Sequence, residues 1–245
     1  MVSRRGVLAA GAAALLPAGL KAQDEGREMR FSELVAGAPL PAEYRVFGFD
    51  GVPRTQYTAV VDEGRVVLRA RAEASMSAVI RTVRVPAAPR PELEWRWKVL
   101  QVPEHGDLAT RTGDDFAARL YVAFDLGLGE LPLATRVGVW LARLAYGDDV
   151  PAAALCYVWA NRAKVGTVAT SAFTERVRMI VVDGGTAGLG EWRAYRRDVV
   201  ADYERAFGAP APAIIGVAVA SDADNTRGRA EAYFGDVRFR SRPPA

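Results

Sequence analysis

Hydrophobic and polar residues alternate along much of this chain with the period of two that an extended strand imposes. The clearest run is Leu93 to Leu100, where Trp95, Trp97 and Val99 share one face and Glu94, Arg96 and Lys98 the other. Phe116 to Asp125 repeats the pattern. It assigns Phe116, Ala118, Leu120, Val122 and Phe124 to the core, and Asp115, Arg119, Tyr121 and Asp125 to the opposite face. Tyr44 to Phe49, Tyr57 to Val61 and Val66 to Ala72 are shorter runs, separated by the turn-forming Gly51-Val52-Pro53 and Asp62-Glu63-Gly64. Met76 to Val85, Ala154 to Asn161, Val177 to Asp183, Ile214 to Ser221 and Ala230 to Phe239 predict further strands, mostly buried.

Two segments follow the helical period instead. Pro132 to Tyr146 places Leu133, Val137, Trp140, Leu141 and Leu144 on one side, with Arg136 and Arg143 opposite. Asp198 to Phe207 predicts a short helix that starts near Asp198 and stops at Gly208 and Pro210. Roughly ten strands with two short helices predict an all-β chain, a two-sheet antiparallel β-sandwich of jelly-roll-like form. Strands do not alternate with long helices, so a doubly wound parallel sheet is not expected. No linker or repeat interrupts residues 23–245, which read as one domain.

Residues 1–22 read as an export signal of the twin-arginine type. Arg4 and Arg5 follow Ser3, Gly6 to Leu16 is mildly apolar, and the expected cut follows Ala22. The apolar stretch is shorter than the roughly 20 residues of a membrane span, and no Cys near the cut offers a lipid anchor. A periplasmic or secreted location is expected, with no stable anchor after cleavage. Removing this segment takes Arg4, Arg5 and Lys21 and no acid. The 32 basic and 29 acidic residues of the whole chain then become 29 against 29. The basic isoelectric point is therefore no sign of nucleic-acid binding. Cys156 is the only cysteine, so no disulfide can form within the chain.

With His105 as the only histidine, a zinc centre of several His or Cys ligands and a bis-histidine haem are excluded. No nucleophile elbow or phosphate-cradling glycine loop is present, and no catalytic residue is assigned. Carboxylates and aromatics remain. Gly113-Asp114-Asp115, Gly147-Asp148-Asp149 and Asp222-Ala223-Asp224-Asn225-Thr226 are acid-rich stretches next to predicted elements. Asp222, Asp224 and Asn225 offer oxygen ligands to a hard cation such as calcium, although the same residue types also serve ordinary turns. Tyr121 and Trp159, with Asp114, Asp115 and Arg119, combine ring faces for stacking with groups that fix hydroxyls.

Several pieces of the chain resemble a bacterial family of exported proteins, domain of unknown function 3047. They are Leu93-Glu94-Trp95-Arg96-Trp97-Lys98, Gly113-Asp114-Asp115-Phe116 with Arg119-Leu120-Tyr121-Val122, Tyr157-Val158-Trp159-Ala160, Ser221-Asp222-Ala223-Asp224-Asn225-Thr226 and Tyr233-Phe234-Gly235-Asp236-Val237. The resemblance implies a single exported domain and carries no activity with it. The expectation is non-catalytic binding of a glycan or small polar ligand through Asp114, Asp115, Arg119, Tyr121 and Trp159. A carboxylate-based polysaccharide hydrolase or lyase and an envelope scaffolding protein are the alternatives.

Overall fold

The computed structural model describes residues 28–125 and 153–241. The segment read as a signal, the helix expected at 132–146 and the acids at 148–149 lie outside the described residues. Among those residues, two seven-stranded sheets pack face to face. The first holds β1 (Glu28–Met29), β3 (Gln56–Asp62), β4 (Arg65–Glu73), β6 (Pro91–Gln101), β11 (Arg193–Asp198), β13 (Arg229–Phe234) and β14 (Val237–Ser241). Its order is β1-β14-β6-β13-β4-β3, and β11 also pairs with β6. The second holds β2 (Arg45–Phe47), β5 (Met76–Val85), β7 (Arg119–Phe124), β8 (Ala153–Ala160), β9 (Val168–Thr170), β10 (Val177–Gly184) and β12 (Ile214–Asp222). Its order is β2-β5-β12-β7-β8-β10-β9. The chain is a mostly β, jelly-roll-like sandwich, as its alternating pattern predicts.

The alternation places side chains as the pleat requires. Leu93, Trp95, Trp97 and Val99 of β6 meet Leu120, Val122 and Phe124 of β7 and Tyr157 of β8 in the core between the sheets. The Trp95 and Tyr157 rings lie 5.0 Å apart. Asp62-Glu63-Gly64 closes a two-residue hairpin between β3 and β4, with Asp62 opposite Arg65. Positive φ at both Glu63 (48°) and Gly64 (75°) is what the twist of such a hairpin demands. The second expected helix forms as α1 (Val199–Phe207); the Asp198 side chain caps it and Gly208 ends it in the left-handed conformation.

Three expectations change. The run Ala230 to Phe239 is two strands, because the chain breaks at Gly235 and Asp236 and both halves pair with β6. The β8–β10 pair is parallel, so the sandwich is not wholly antiparallel; the connection between them runs through β9, which turns back onto β10. The short β1 and β9 carry no periodic signal and were not foreseen.

The central strands of the second sheet are buried on both faces. β8 and β12 are buried at every position, and Ala154, Cys156, Val158, Ala218 and Ala220 form a second apolar cluster on the side away from the main core. These residues are small. They leave room on the outer face of the second sheet, and the candidate site lies there.

Candidate functional site

A cavity of about 240 Å³ opens on this outer face. Its apolar wall includes Phe49, Met76, Phe173, Val177 and Met179, and its polar wall includes Asp114, Arg119, Tyr121, Asp222, Asp224 and Asn225. The register of β12 against β7 sets the centre: Arg119 faces Ala220 and Tyr121 faces Ala218. On the other side of β7, Tyr121 faces Cys156. Every neighbour across a strand is small, so the long Arg119 and Tyr121 side chains lie along the sheet without a clash.

Arg119 organises the polar wall. Its Nε donates to Asp222 Oδ1 at 2.9 Å, and its Nη2 donates to Asp222 Oδ2 and to the Asp114 carbonyl. Nη1 reaches the Tyr121 hydroxyl at 3.3 Å and stands 3.5 Å from Asp114 Oδ1. The guanidinium also lies over the Phe116 ring, 4.3 Å from its centre. A bidentate guanidinium–carboxylate pair fixes both planes. Asp222 Oδ1 accepts a further bond from the Phe116 backbone N–H at 3.0 Å, while the Asp222 N–H donates to the Phe116 carbonyl at 3.1 Å. One side chain thus ties the end of β12 to the entry of β7.

Asp115 makes the second tie. It is fully buried, and its two oxygens accept the backbone N–H groups of Asn225 (3.2 Å) and Thr226 (2.6 Å). Gly106 makes room for it. A Cβ there would come within 2.8 Å of the Asp115 carbonyl and 2.9 Å of Asn161 Nδ2. One carboxylate oxygen from each of Asp115, Asp222 and Asp224 lies within 4.8 Å of the others.

So many acids around one base alter their protonation. Burial pushes the Asp222 carboxyl up to about 7; Arg119 opposes that shift, and the Asp115 and Asp114 charges add to it. Burial also raises Asp114, against the pull of Arg119. Asp224 rises through burial and the Asp115 charge. For Arg119, burial works against the charged form, but the Asp114 and Asp222 carboxylates outweigh it and hold the guanidinium ionised. Cys156, on the same face, is pushed up to about 12 by burial, which leaves it a poor nucleophile.

A family model described as a protein of unknown function, DUF3047, matches residues 42–238. The chain belongs to that family. Nothing among the curated proteins matches it. Among solved structures it is similar to a family 11 carbohydrate-binding module from Clostridium thermocellum in complex with a mixed-linked tetrasaccharide. There the identity is 7% and the TM-score 0.39, over 87% of this chain and 94% of that one. It is also similar to the family 11 module of the cellulosomal cellulase Lic26A-Cel5E of Clostridium thermocellum, at 5% identity and TM-score 0.43, over 89% and 98% of the two chains. Likeness at this level says nothing about what the DUF3047 chain binds.

In this DUF3047 chain, seven of the residues singled out from sequence come together: Asp114, Asp115, Arg119, Tyr121, Asp222, Asp224 and Asn225. Asp115 sits behind the cavity wall, and the other six line it. Trp159 does not join them. It faces the main core with 0% exposure, its indole N–H donates to the Gly185 carbonyl at 3.0 Å, and no ligand stacks on a ring so enclosed. Arg119 and Tyr121 do point away from the main core, yet they are buried rather than exposed. The apolar wall was missed. Phe173, 46% exposed in the link between β9 and β10, was visible only as an aromatic in a polar stretch.

Proposed function

We propose that the chain binds a sugar-sized polar ligand in this cavity without turning it over. The observation that carries the reading is the meeting of apolar and charged side chains in one cavity. Phe49, Met76, Phe173 and Met179 bring apolar surface into the same cavity as a fixed carboxylate–guanidinium array, with Met76 directly beside Asp222 across the strands. A pyranose presents just such a pair of faces, C–H groups for a ring and hydroxyls for carboxylates. The cavity lies below the roughly 300–1,000 Å³ of drug-sized sites, which suits one sugar unit of a longer glycan. Turnover would need two carboxyl groups free to reach the scissile bond. Asp115 and Asp222 instead spend their oxygens on protein donors, and the unbonded Oδ1 atoms of Asp114 and Asp224 are buried away from a scissile bond.

Isothermal titration with a set of neutral oligosaccharides tests the reading. Phe173→Ala is the variant to use, because Phe173 is at the rim, whereas removing Arg119 or Tyr121 would disturb packing. Binding by the parent chain and weakening by several-fold in Phe173→Ala support the cavity; equal affinity places the ligand elsewhere.

A calcium ion held by Asp115, Asp222 and Asp224 is a second reading. It is favoured by Asp224 Oδ1 and Thr226 Oγ1, two buried oxygens without a hydrogen-bond partner. Calcium should then raise the melting temperature and a chelator lower it; no movement in either direction removes the ion. Export through residues 1–22 is likewise proposed from sequence, with the cut after Ala22 checked by amino-terminal analysis of the mature chain. Among the described residues no helix is long and apolar enough to cross a membrane.

A further inference from the structure

The cavity's charge balance deepens the reading just given, on which this inference rests. The described residues that line it include three carboxylates, Asp114, Asp222 and Asp224, and one base, Arg119. Arg119 is committed to Asp222 by two bonds. Asp114 is 5% exposed, and its Oδ1 has no hydrogen-bond partner; the nearest cation, Arg119 Nη1, stands 3.5 Å away. Asp224 Oδ1 is buried without a hydrogen bond as well. Behind the wall, the fourth carboxylate, Asp115, has its charge answered by backbone N–H groups of Asn225 and Thr226.

Burying a carboxylate is costly unless a positive partner answers it. A positive charge within about 4–6 Å relieves that cost without having to touch the buried oxygens themselves. Among the described residues that line the cavity, one guanidinium stands against Asp114 and Asp224 as well as its own partner Asp222. Phe49, Met76, Phe173 and Met179 add apolar lining, and the Arg111 guanidinium, tied to the Ala172 carbonyl, lies over the Phe173 ring, 5.5 Å from its centre. A ligand complementary to this lining carries a positive charge for the acids and an apolar ring face for the methionines and phenylalanines.

We propose that the cavity selects a sugar-sized ligand that bears a protonated amine, such as a glucosamine unit, over neutral and anionic sugars of the same size. An anionic sugar would meet the Asp114 and Asp224 carboxylates across a low-dielectric gap, and a neutral one would leave their charge unanswered.

The test is isothermal titration of the full chain with three β-1,4-linked tetramers, of glucosamine, N-acetylglucosamine and glucose. A chelator is present, and the pH is mildly acidic so that the sugar amine is protonated. The expected result is about tenfold tighter binding of the glucosamine tetramer. Asp224→Asn should bring the three ligands to within about twofold of one another by removing one wall charge. Asp114→Asn should do the same, and if it lowers the melting temperature, the half-buried Asp224 supplies the decisive variant. Equal binding of all three tetramers by the parent chain, or a preference that survives both substitutions, overturns the amine and leaves the cavity as a neutral-sugar site. Failure of every tetramer to bind overturns both readings.

Discussion

The two outer faces of the sandwich use the same charged residue types to opposite ends. On the first sheet, Arg65, Glu94, Arg96, Arg196, Asp236 and Arg238 line an open groove of about 620 Å³. Their charges pair in the open: Arg196 with Glu94 and Glu92, and Arg238 with Asp236. Water screens such pairs, and each contributes little to stability. On the second sheet a smaller set is taken out of water. There Arg119 and Asp222 form an ion pair with almost no exposure, beside Asp114, which shares the same guanidinium at 3.5 Å, and Asp224, whose Oδ1 is buried without a hydrogen bond. Charge along the groove of the first face is a mostly solvated lattice, Lys98 and Asp62 being the enclosed exception, whereas on the second it ties β12 to β7.

Removing one base from each face is the sharpest way to break this comparison. Arg119→Ala leaves Asp222 and Asp114 buried without a positive partner, and breaking a buried pair this way costs about 3–5 kcal/mol. The denaturant midpoint should fall accordingly, or the chain should not accumulate folded. Arg196→Ala removes an arginine of the solvated lattice and should leave the midpoint unchanged. Equal effects at the two positions would mean that the buried cluster is already wet.

The acids of the two faces should also titrate in opposite senses. On the first sheet, burial alone would raise Asp62, but hydrogen bonds from Lys98 and Trp192 hold it below the usual carboxylate range. Its contribution is present above the unfolded value, near 4, and is lost only as pH falls through the lowered folded value. Asp222 is the reverse case. Folded, it keeps its proton up to about pH 7, while in the unfolded chain it ionises near 4. Between those values the folded chain binds more protons, so stability falls as pH rises. Thermal melts of the metal-free protein, with a chelator present, should give a higher midpoint at about pH 5.5 than at about pH 7.5. Asp222→Asn should flatten that slope, and a parent slope of the other sign would place the dominant titration elsewhere.

What sequence showed, and what it did not, follows the same division. Alternation in β6 and β7 marked the faces correctly, because the pleat alone decides which way Trp97, Leu120 or Arg119 points. It could not show what lies over a face. Arg119 and Tyr121 were therefore assigned to the face opposite the core with no sign that this outer side of the second sheet is itself buried. Nor could it show register. Asp114 and Asp115 meet Asp222 and Asp224 only because β12 pairs with β7 and Arg119 falls opposite Ala220. Trp159 was misplaced for a related reason. On a strand buried on both sides, Tyr157 and Trp159 alternate with Cys156 and Val158, and both sets are apolar. The break at Gly235 was hidden inside a run that kept its period on either side.

Cys156 gives a smaller contrast between buried and accessible chemistry. With its thiol pushed up to about 12 and no exposed surface, it should resist a thiol reagent in the native state and react once denaturant unfolds the chain. Rapid labelling of the folded protein would show that the outer face of the second sheet opens readily.

The finest distinction between the faces comes from one added methyl group on each. Gly106→Ala presses a Cβ to within 2.8 Å of the Asp115 carbonyl, a backbone atom held in place because Asp115 also latches Asn225 and Thr226. Such overpacking costs about 1–3 kcal/mol, and ligand affinity should fall with it as the acidic wall shifts. Gly235→Ala brings its Cβ to within 2.6 Å of Arg96 Cγ and Nε, but those atoms belong to a long side chain at the edge of the open groove. Arg96 can swing aside, giving up its place over the Trp192 ring, 4.3 Å away. An exposed cation–π contact is worth about 0.5–1 kcal/mol, so that is the expected loss. The shorter contact should thus give the smaller effect, read as two denaturant midpoints, because rigidity of the neighbour and not distance alone sets the cost. A larger loss at Gly235 would show that the groove of the first sheet is the stiffer of the two surfaces.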